Sequence, residues 1–161
     1  MNIIGNIKKH LNSESAKIST AESCTGGYLS KLLTSEQGSS SYFQGSIVVY
    51  SNDVKINVLG VEKELIDTYT EVSEQVARRM AEKVKEVMGT EYSIATTGYA
   101  DAKGYGTDEN PAGTIYIAIS TPQETIVDKL HLSESRERNI YLASMRGLDM
   151  ILESVKIHQV L

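Results

Sequence analysis

Segments with helical spacing alternate with short apolar runs along this chain of 161 residues, and this alternation constrains its fold. The clearest helix spans residues 73–88, beginning at a capping serine and ending before Gly89. Two apolar runs, 114–119 and 125–132, follow each other across a short turn and predict a hairpin. Because helices and strands interleave before that hairpin, we expect an α/β fold whose layered sheet contains at least one antiparallel pair.

The other elements follow from the same patterns of apolar residues, caps and turns. Helices are predicted at residues 2–13, 28–34, 52–59, 61–69 and 136–156, and strands at 16–20, 42–50 and 92–97. Residues 98–113 form a glycine-rich connection that is longer than most, so we interpret it as a lid, a binding loop or a disordered segment.

The composition is that of an ordinary globular protein, with 40% hydrophobic and 23% charged residues. A net charge of -5 argues against nucleic acid and anionic membranes as general partners. The single cysteine, Cys24, excludes an intrachain disulfide and fits a cytoplasmic location. The N-terminal residues have no apolar core of the kind that signal peptides carry, and no segment is apolar enough to cross a bilayer.

The segment from Ser19 to Gly27 joins a predicted strand to a predicted helix and concentrates hydroxyl groups, a carboxylate, a thiol and two glycines. Backbone N–H groups at a helix N-terminus lack intrahelical partners and attract negative charge. A serine held there faces donors suited to a developing oxyanion. The competing interpretation is an ordinary helix cap, with Ser23 or Thr25 as the capping residue.

A second cluster of polar residues, 50–55, follows the strand predicted at 42–50. The carboxyl ends of strands line the ligand crevice in α/β sheets, so this turn and the first one are expected to meet at one cleft. A serine is a poor nucleophile unless a base takes its proton, and Lys55 can do so if its pKa is lowered by its surroundings. Tyr50 would relay a proton or orient the lysine. The alternative for Lys55 is a solvated surface lysine.

Other catalytic and metal-binding chemistry has weaker support in the sequence. Cys24 is a competing nucleophile, but a neighbour of Ser23 on a helical turn points about 100° away, so a structural role is expected. None of the three histidines lies in a polar motif, and no His or carboxylate spacing matches a metal site. The loop after Gly98 and the arginines Arg136 and Arg138 could bind a phosphate, or could be solvated surface.

Several motifs, taken together and in order, resemble those of the CinA C-terminal domain family. They are TAESCTGG at 20–27, GSSSYF at 38–43, YSNDVK at 50–55, LGV at 59–61, EVSEQVA at 71–77 and PAGTIYIA at 111–118. The resemblance covers nearly the whole chain. It implies one domain of this type over residues 1–161, folded as a three-layer α/β/α sandwich and often dimeric, without the N-terminal domain of longer members.

Members of that family typically deamidate nicotinamide mononucleotide, which gives nicotinate mononucleotide and ammonia. The resemblance therefore implies a hydrolase that binds a pyridine mononucleotide and needs neither metal nor cofactor. Ser23 would be the nucleophile, Lys55 its base and Tyr50 an assisting hydroxyl. The substrate-binding set would comprise Thr25, Gly26, Gly27, Asn52, Gly98 and Arg136, with Arg136 facing the phosphate.

The loop at 98–110 departs from the family pattern, which reads Gly-Ile-Ala-Gly-Pro-x-Gly-Gly. Asp101 stands where glycine is expected, Ala102 stands where proline is expected, and one residue is inserted. Asn110 replaces a lysine before Pro111. Asp101 would repel a phosphate or point into solvent. An alternative function is therefore a non-catalytic or substrate-shifted relative that binds a nucleotide or a small amide.

Overall fold

The protein is described by a computed structural model that covers residues 2–158, apart from the side chain of His158. Its elements are α1 Ile3–Ser13, β1 Ile18–Glu22, α2 Tyr28–Leu33, β2 Phe43–Val48, α3 Asn52–Val54, α4 Lys63–Tyr69, α5 Glu74–Met88, β3 Tyr92–Gly98, β4 Thr114–Ser120, β5 Thr125–His131 and α6 Arg136–His158. A 3₁₀ turn at Ser39–Ser41 precedes β2, and a π-helical turn at Lys55–Leu59 follows α3.

The five strands form one mixed sheet in the order β2-β1-β3-β4-β5. β1 runs parallel to both β2 and β3, whereas β3, β4 and β5 are antiparallel to one another in turn. The expected antiparallel hairpin is therefore confirmed as β4–β5. Because β1, β2 and β3 run the same way, their carboxyl ends lie together at one edge of the sheet, where a ligand crevice is expected.

Helices cover both faces of the sheet, which confirms an α/β/α arrangement of three layers. On one face, α1 and α6 bury Ile7, Leu11 and Ile151 against Ile94 and Ile117 of the sheet. On the other face, α5 buries Val76, Met80 and Val84 against Ala95 and Ala118. Neighbouring residues of β3 and β4 thus serve opposite layers, as the alternation of side chains along a strand requires.

Two strands differ from their predicted bounds in a way that matters for the site. β1 extends through Glu22 because its ladder with both neighbours continues there, pairing Glu22 with Val48 and Thr96. β2 ends at Val48, so Tyr50 lies in the connection beyond the strand. The helix predicted at 52–59 is present but changes from α to π at Lys55.

The long connection between β3 and β4 is held by hydrogen bonds near both ends, which favours a binding loop or lid over a disordered segment. At its start, Asn139 donates its side-chain N–H to the carbonyl of Ala100 at 2.8 Å. Near its end, the buried Asn110 donates to the carbonyl of Val72 at 2.9 Å and accepts the hydroxyl of Tyr116 at 2.8 Å. The loop is therefore pinned to three neighbouring parts of the fold.

Candidate active site

A cavity of about 360 Å³ opens at the carboxyl ends of the three parallel strands. This volume lies within the usual range for small-molecule sites. The turn after β1, the turn after β2, the start of the loop after β3 and the first residue of α6 all line it. Six residues of the predicted site face this cavity: Ser23, Tyr50, Asn52, Lys55, Gly98 and Arg136.

Glu22, the last residue of β1, organises the turn that follows. Its buried carboxylate accepts the backbone N–H groups of Leu29 at 2.8 Å and Ser30 at 3.0 Å, both in α2. It also accepts the hydroxyl of Thr25 at 2.8 Å. An acidic group at a helix N-terminus satisfies the unpaired donors there and the helix dipole. The Glu22 carboxylate is thus the negatively charged group that caps the N-terminus of α2.

Ser23 and Lys55 meet at the base of the cavity, although 32 positions separate them in the sequence. The Lys55 Nζ lies 3.0 Å from the Ser23 Oγ, and the two residues are 1% and 7% exposed. The side chain of Ser51 caps α3 by accepting the N–H of Val54, which sets the helical turn that carries Lys55 inward. The π-helical turn begins at Lys55 itself, and such turns are frequent at functional sites.

Burial lowers the pKa of the Lys55 amine below its ordinary value of 10.5. A low-dielectric environment disfavours the charged ammonium form, and the negative charge of Glu71 only partly opposes this effect. Glu71 also lines the cavity. An amine with a lowered pKa beside a hydroxyl is a suitable base for activating that hydroxyl.

Cys24 differs from Ser23 in its chemical state. Burial raises the pKa of the Cys24 thiol to about 12, although Thr96 and Lys55 act in the opposite direction. Because the thiolate is the nucleophilic form of cysteine, a thiol with this pKa is inert near neutral pH. The structure therefore favours the structural role that was expected for Cys24.

Thr25, Gly26 and Gly27 lie beside the cavity rather than in it. The Thr25 hydroxyl is directed into the protein, within 2.8 Å of both Glu22 and Thr96. Together with Lys31, the three residues line an adjacent groove that shares Arg136 with the cavity. Their contribution to the fold is the sharp turn, for which both glycines adopt left-handed backbone angles, with φ of 59° and 103°.

Tyr50 contacts Lys55 through its backbone, not through its side chain. The Lys55 Nζ lies 3.5 Å from the Tyr50 carbonyl oxygen. The side chain is 61% exposed, and its hydroxyl accepts a hydrogen bond from Arg136 Nη2 at 3.1 Å. In this geometry the phenol orients the arginine.

Gly98 and Asn52 complete the part of the predicted set that lines the cavity. A Cβ at Gly98 would lie 2.4 Å from the carbonyl oxygen of Thr114, so β3 and β4 can pair here only with glycine. Asn52 is exposed and begins α3. Gly98 thus shapes the cavity wall through the close approach of two strands, and Asn52 presents an amide at the rim.

Arg136 forms an ion pair with Asp101, the residue at which the loop departs from the family pattern. Its Nη1 donates to the Asp101 Oδ2 at 2.9 Å. The two side chains are 45% and 56% exposed. The Asp101 carboxylate therefore pairs with an arginine and does not point freely into solvent. Asp101 thus forms an ion pair with Arg136, the residue that the resemblance implies binds the substrate phosphate.

Sequence reasoning missed two carboxylates of this site, Glu22 and Glu71. Glu22 carried a usable signal, because an acidic residue closing a strand before a hydroxyl-rich turn and a helix is placed to cap that helix. Glu71 opens the EVSEQVA motif, but nothing local placed it at the site, because it reaches the cavity only through the packing of the connection before α5. Within residues 2–158, no group of three or more His, Cys, Asp or Glu side chains could hold a metal ion. No helix in that same range has the length and apolarity needed to span a membrane.

Comparison of the sequence with known proteins gives a consistent family match. The family model described as the CinA C-terminal domain matches residues 2–155. A CinA-like protein of Cytophaga hutchinsonii is 40% identical over 146 residues, which are 91% of this chain and 35% of that protein. A CinA-like protein of Acidobacterium capsulatum is 42% identical over 142 residues, or 88% and 34%. The chain thus spans about a third of the length of these curated relatives.

Solved structures with the same architecture extend over nearly the whole chain. A competence or damage-inducible protein from Enterobacter asburiae superposes with a TM-score of 0.89 at 30% identity, covering 95% of this chain and 96% of that one. A CinA superfamily protein from Klebsiella pneumoniae superposes with a TM-score of 0.90 at 26% identity, covering 96% of each chain. These neighbours agree with the α/β/α sandwich described above.

Proposed function

Since the chain belongs to the family of CinA C-terminal domains, we propose that it is an amidohydrolase that releases ammonia from the carboxamide of a pyridine nucleotide. Nicotinamide mononucleotide is the substrate that the resemblance implies, with nicotinate mononucleotide as the product. The observation that carries this proposal is the 3.0 Å approach of Lys55 Nζ to Ser23 Oγ inside a ligand-sized cavity.

In the first step, Ser23 attacks the carboxamide carbon while the neutral amine of Lys55 takes the hydroxyl proton. The lowered pKa of Lys55 supports this role because it makes the neutral form accessible. The resulting oxyanion needs preorganised donors. In the turn, the N–H groups of Gly26 and Tyr28 already donate to carbonyl oxygens. Of the remaining N–H groups in the turn, the one on Cys24 belongs to a residue that lines the cavity, so it is the proposed oxyanion donor.

In the second step, the tetrahedral intermediate collapses, the C–N bond breaks and Lys55 returns its proton to the departing nitrogen, which leaves as ammonia. The acyl group then remains on the Ser23 oxygen as an ester. A water molecule attacks this ester as Lys55 accepts one of its protons, and that proton returns to the Ser23 oxygen. The net reaction consumes one amide and one water and yields one carboxylic acid and one ammonia.

The test is ammonia release from nicotinamide mononucleotide by the purified protein, measured alongside Ser23→Ala. Ser40→Ala, at an exposed serine of the 3₁₀ turn, is the matched control. We expect activity in the wild type and in Ser40→Ala, and none above background in Ser23→Ala. Equal release by wild type and Ser23→Ala would overturn the proposed mechanism.

A second candidate is a relative that binds a ligand without hydrolysing it, and the ion pair between Asp101 and Arg136 favours it. A site whose arginine is held by the chain itself could have lost turnover with the intended nucleotide. Titration calorimetry with pyridine nucleotides separates the two functions. Binding to the wild type without ammonia release supports this second candidate, and release that depends on Ser23 excludes it.

A further inference from the structure

We infer that Asp101 selects the charge of the ligand, so that the cavity accepts an amide without a phosphate in preference to its phosphorylated form. The inference rests on the proposed function and names the substrate class of the same site. For a pyridine carboxamide, the favoured form is the riboside, which carries the cationic ring and lacks the phosphate. Asp101 acts here as a specificity-determining residue through Arg136.

The first argument is the geometry of the guanidinium. Arginine binds phosphate through a fork of parallel N–H donors. In this chain one N–H of each outer nitrogen of Arg136 is already used, on Nη1 by the carboxylate of Asp101 and on Nη2 by the hydroxyl of Tyr50. A phosphate could use the fork only by displacing the Asp101 carboxylate or by sharing the cation with it.

The second argument is the charge of the cavity lining. Its ionisable side chains include two carboxylates, Asp101 and Glu71, and two basic groups, Arg136 and Lys55. In the form that activates Ser23, Lys55 is uncharged, so two carboxylates face one guanidinium. A phosphate monoester carries a charge of about −1.5 to −2 at pH 7 and is repelled by this lining. Both compounds carry the same cationic pyridinium ring, so the phosphate is the group against which this lining discriminates.

The competing interpretation is a surface ion pair without functional effect. Exposed pairs contribute little to stability, and both side chains here are about half exposed. Two observations favour a role in selection. Asp101 lines the same cavity as Ser23 and Lys55, and its partner is the one arginine in that lining among the residues that the structure describes. The two interpretations differ in whether neutralising Asp101 changes the choice of ligand.

The experiment compares kcat/KM for nicotinamide mononucleotide with that for nicotinamide riboside. The isosteric variant Asp101→Asn removes the charge, and Asp101→Glu restores it. Asp108→Asn is the matched control. It also removes one carboxylate from the loop, but Asp108 lines a different groove. We expect the wild type to prefer the riboside. We expect Asp101→Asn to raise the ratio of kcat/KM for the mononucleotide to kcat/KM for the riboside roughly three- to tenfold, mainly by lowering the KM for the mononucleotide. Asp101→Glu and Asp108→Asn should keep the wild-type ratio.

The route through Arg136 is tested in the double variant Asp101→Asn/Arg136→Met. If Asp101 acts mainly by holding the arginine, its neutralisation should improve use of the mononucleotide much less when Arg136→Met is already present, because only direct repulsion between the carboxylate and the phosphate remains. A gain of full size in that background would overturn the assigned route. An unchanged ratio in Asp101→Asn, or an equal change in Asp108→Asn, would overturn the inference as a whole.

Binding measurements keep this inference separate from the proposed function. Calorimetry on Ser23→Ala, with and without Asp101→Asn, compares the Kd of the two compounds without turnover. A shift in their affinity ratio supports charge selection even if no ammonia is released, in which case only the proposed hydrolysis fails. Ammonia release together with unchanged kcat/KM and Kd ratios leaves the hydrolysis standing and removes the role of Asp101. Failure to bind either compound would overturn the inference.

Discussion

The two walls of the cavity are built in contrasting ways. On the wall formed by the turn after β1 and by Lys55, the polar side chains are buried: Ser23 and Lys55 are 7% and 1% exposed. On the wall formed by the loop after β3, Asp101 and Tyr105 are 56% and 89% exposed. The first wall holds the reacting groups in fixed positions, and the second presents its charges to solvent and to an incoming ligand.

This difference indicates a division of labour between chemistry and ligand choice. Reacting groups must be held within a fraction of an ångström, which buried side chains on helices and strands provide. Ligand choice depends on charges and shapes that loops can change at little cost to the core. Substitutions on the first wall should therefore affect turnover or folding, whereas those on the second should affect ligand preference.

The largest effect is expected from the pair of reacting groups. Ser23→Ala and Lys55→Met should each lower kcat by roughly 10³-fold or more, because nucleophile and base act in the same step. The double variant should be no slower than the worse single variant, since the two residues act as a unit. Steady-state ammonia release measures this, with Lys9→Met at an exposed lysine of α1 as control. Losses that multiply in the double variant would contradict a shared step.

Glu22 is expected to show the next largest effect, on stability. Glu22→Gln should lower the free energy of unfolding by about 2–3 kcal/mol, because the amide group places N–H donors against the N–H groups of α2. Urea denaturation followed by circular dichroism measures this. Glu86→Gln, at a side chain that is 69% exposed on α5, should change stability by less than about 0.5 kcal/mol. Similar small losses in both variants would show that the Glu22 carboxylate is dispensable.

The pH dependence of turnover tests the state of Lys55. As the required base, Lys55 must lose its proton, so kcat/KM should rise about tenfold per pH unit and level off below pH 10.5.

The same lowered pKa makes the stability of the fold depend on pH in one direction. Between the lowered pKa and 10.5 the unfolded state binds more protons than the folded state, so the free energy of unfolding rises with pH. Lys55→Met should remove this rise, as pH-dependent denaturation would detect. A rate that falls rather than rises as the pH increases toward 10.5 would contradict a lysine base.

Tyr50 is expected to give the smallest effect. Tyr50→Phe removes the hydroxyl that accepts from Arg136 but keeps the backbone carbonyl near Lys55. An exposed hydrogen bond of this kind is worth about 0.5–1.5 kcal/mol, so kcat/KM should change by no more than roughly two- to tenfold for either the mononucleotide or the riboside. Tyr69→Phe, at another exposed tyrosine, is the control. A loss of kcat/KM of a hundredfold or more would instead identify the phenol as a proton relay. In that case an exposed residue would take part in the chemistry, contrary to the division of labour between the two walls.

Much of the fold was accessible from local patterns. The capped helix that begins at Ser73, the hairpin after the long loop and the stop at Gly60 all depend on residues a few positions apart. The bounds of β1 were displaced by two residues because its last pairings involve Val48 and Thr96, which belong to other strands. Local propensity does not contain that information.

The sequence alone determined the family, the layered fold and six of the residues that line the cavity, since motifs and short-range periodicity carry these. Only the tertiary structure decided how those residues are used. It brought Lys55 against Ser23 and removed the amine from water, and it set Asp101 on Arg136, 35 positions away. Burial and charge pairing depend on which distant segments pack together, and that packing determines the pKa of Lys55 and the partners of Arg136.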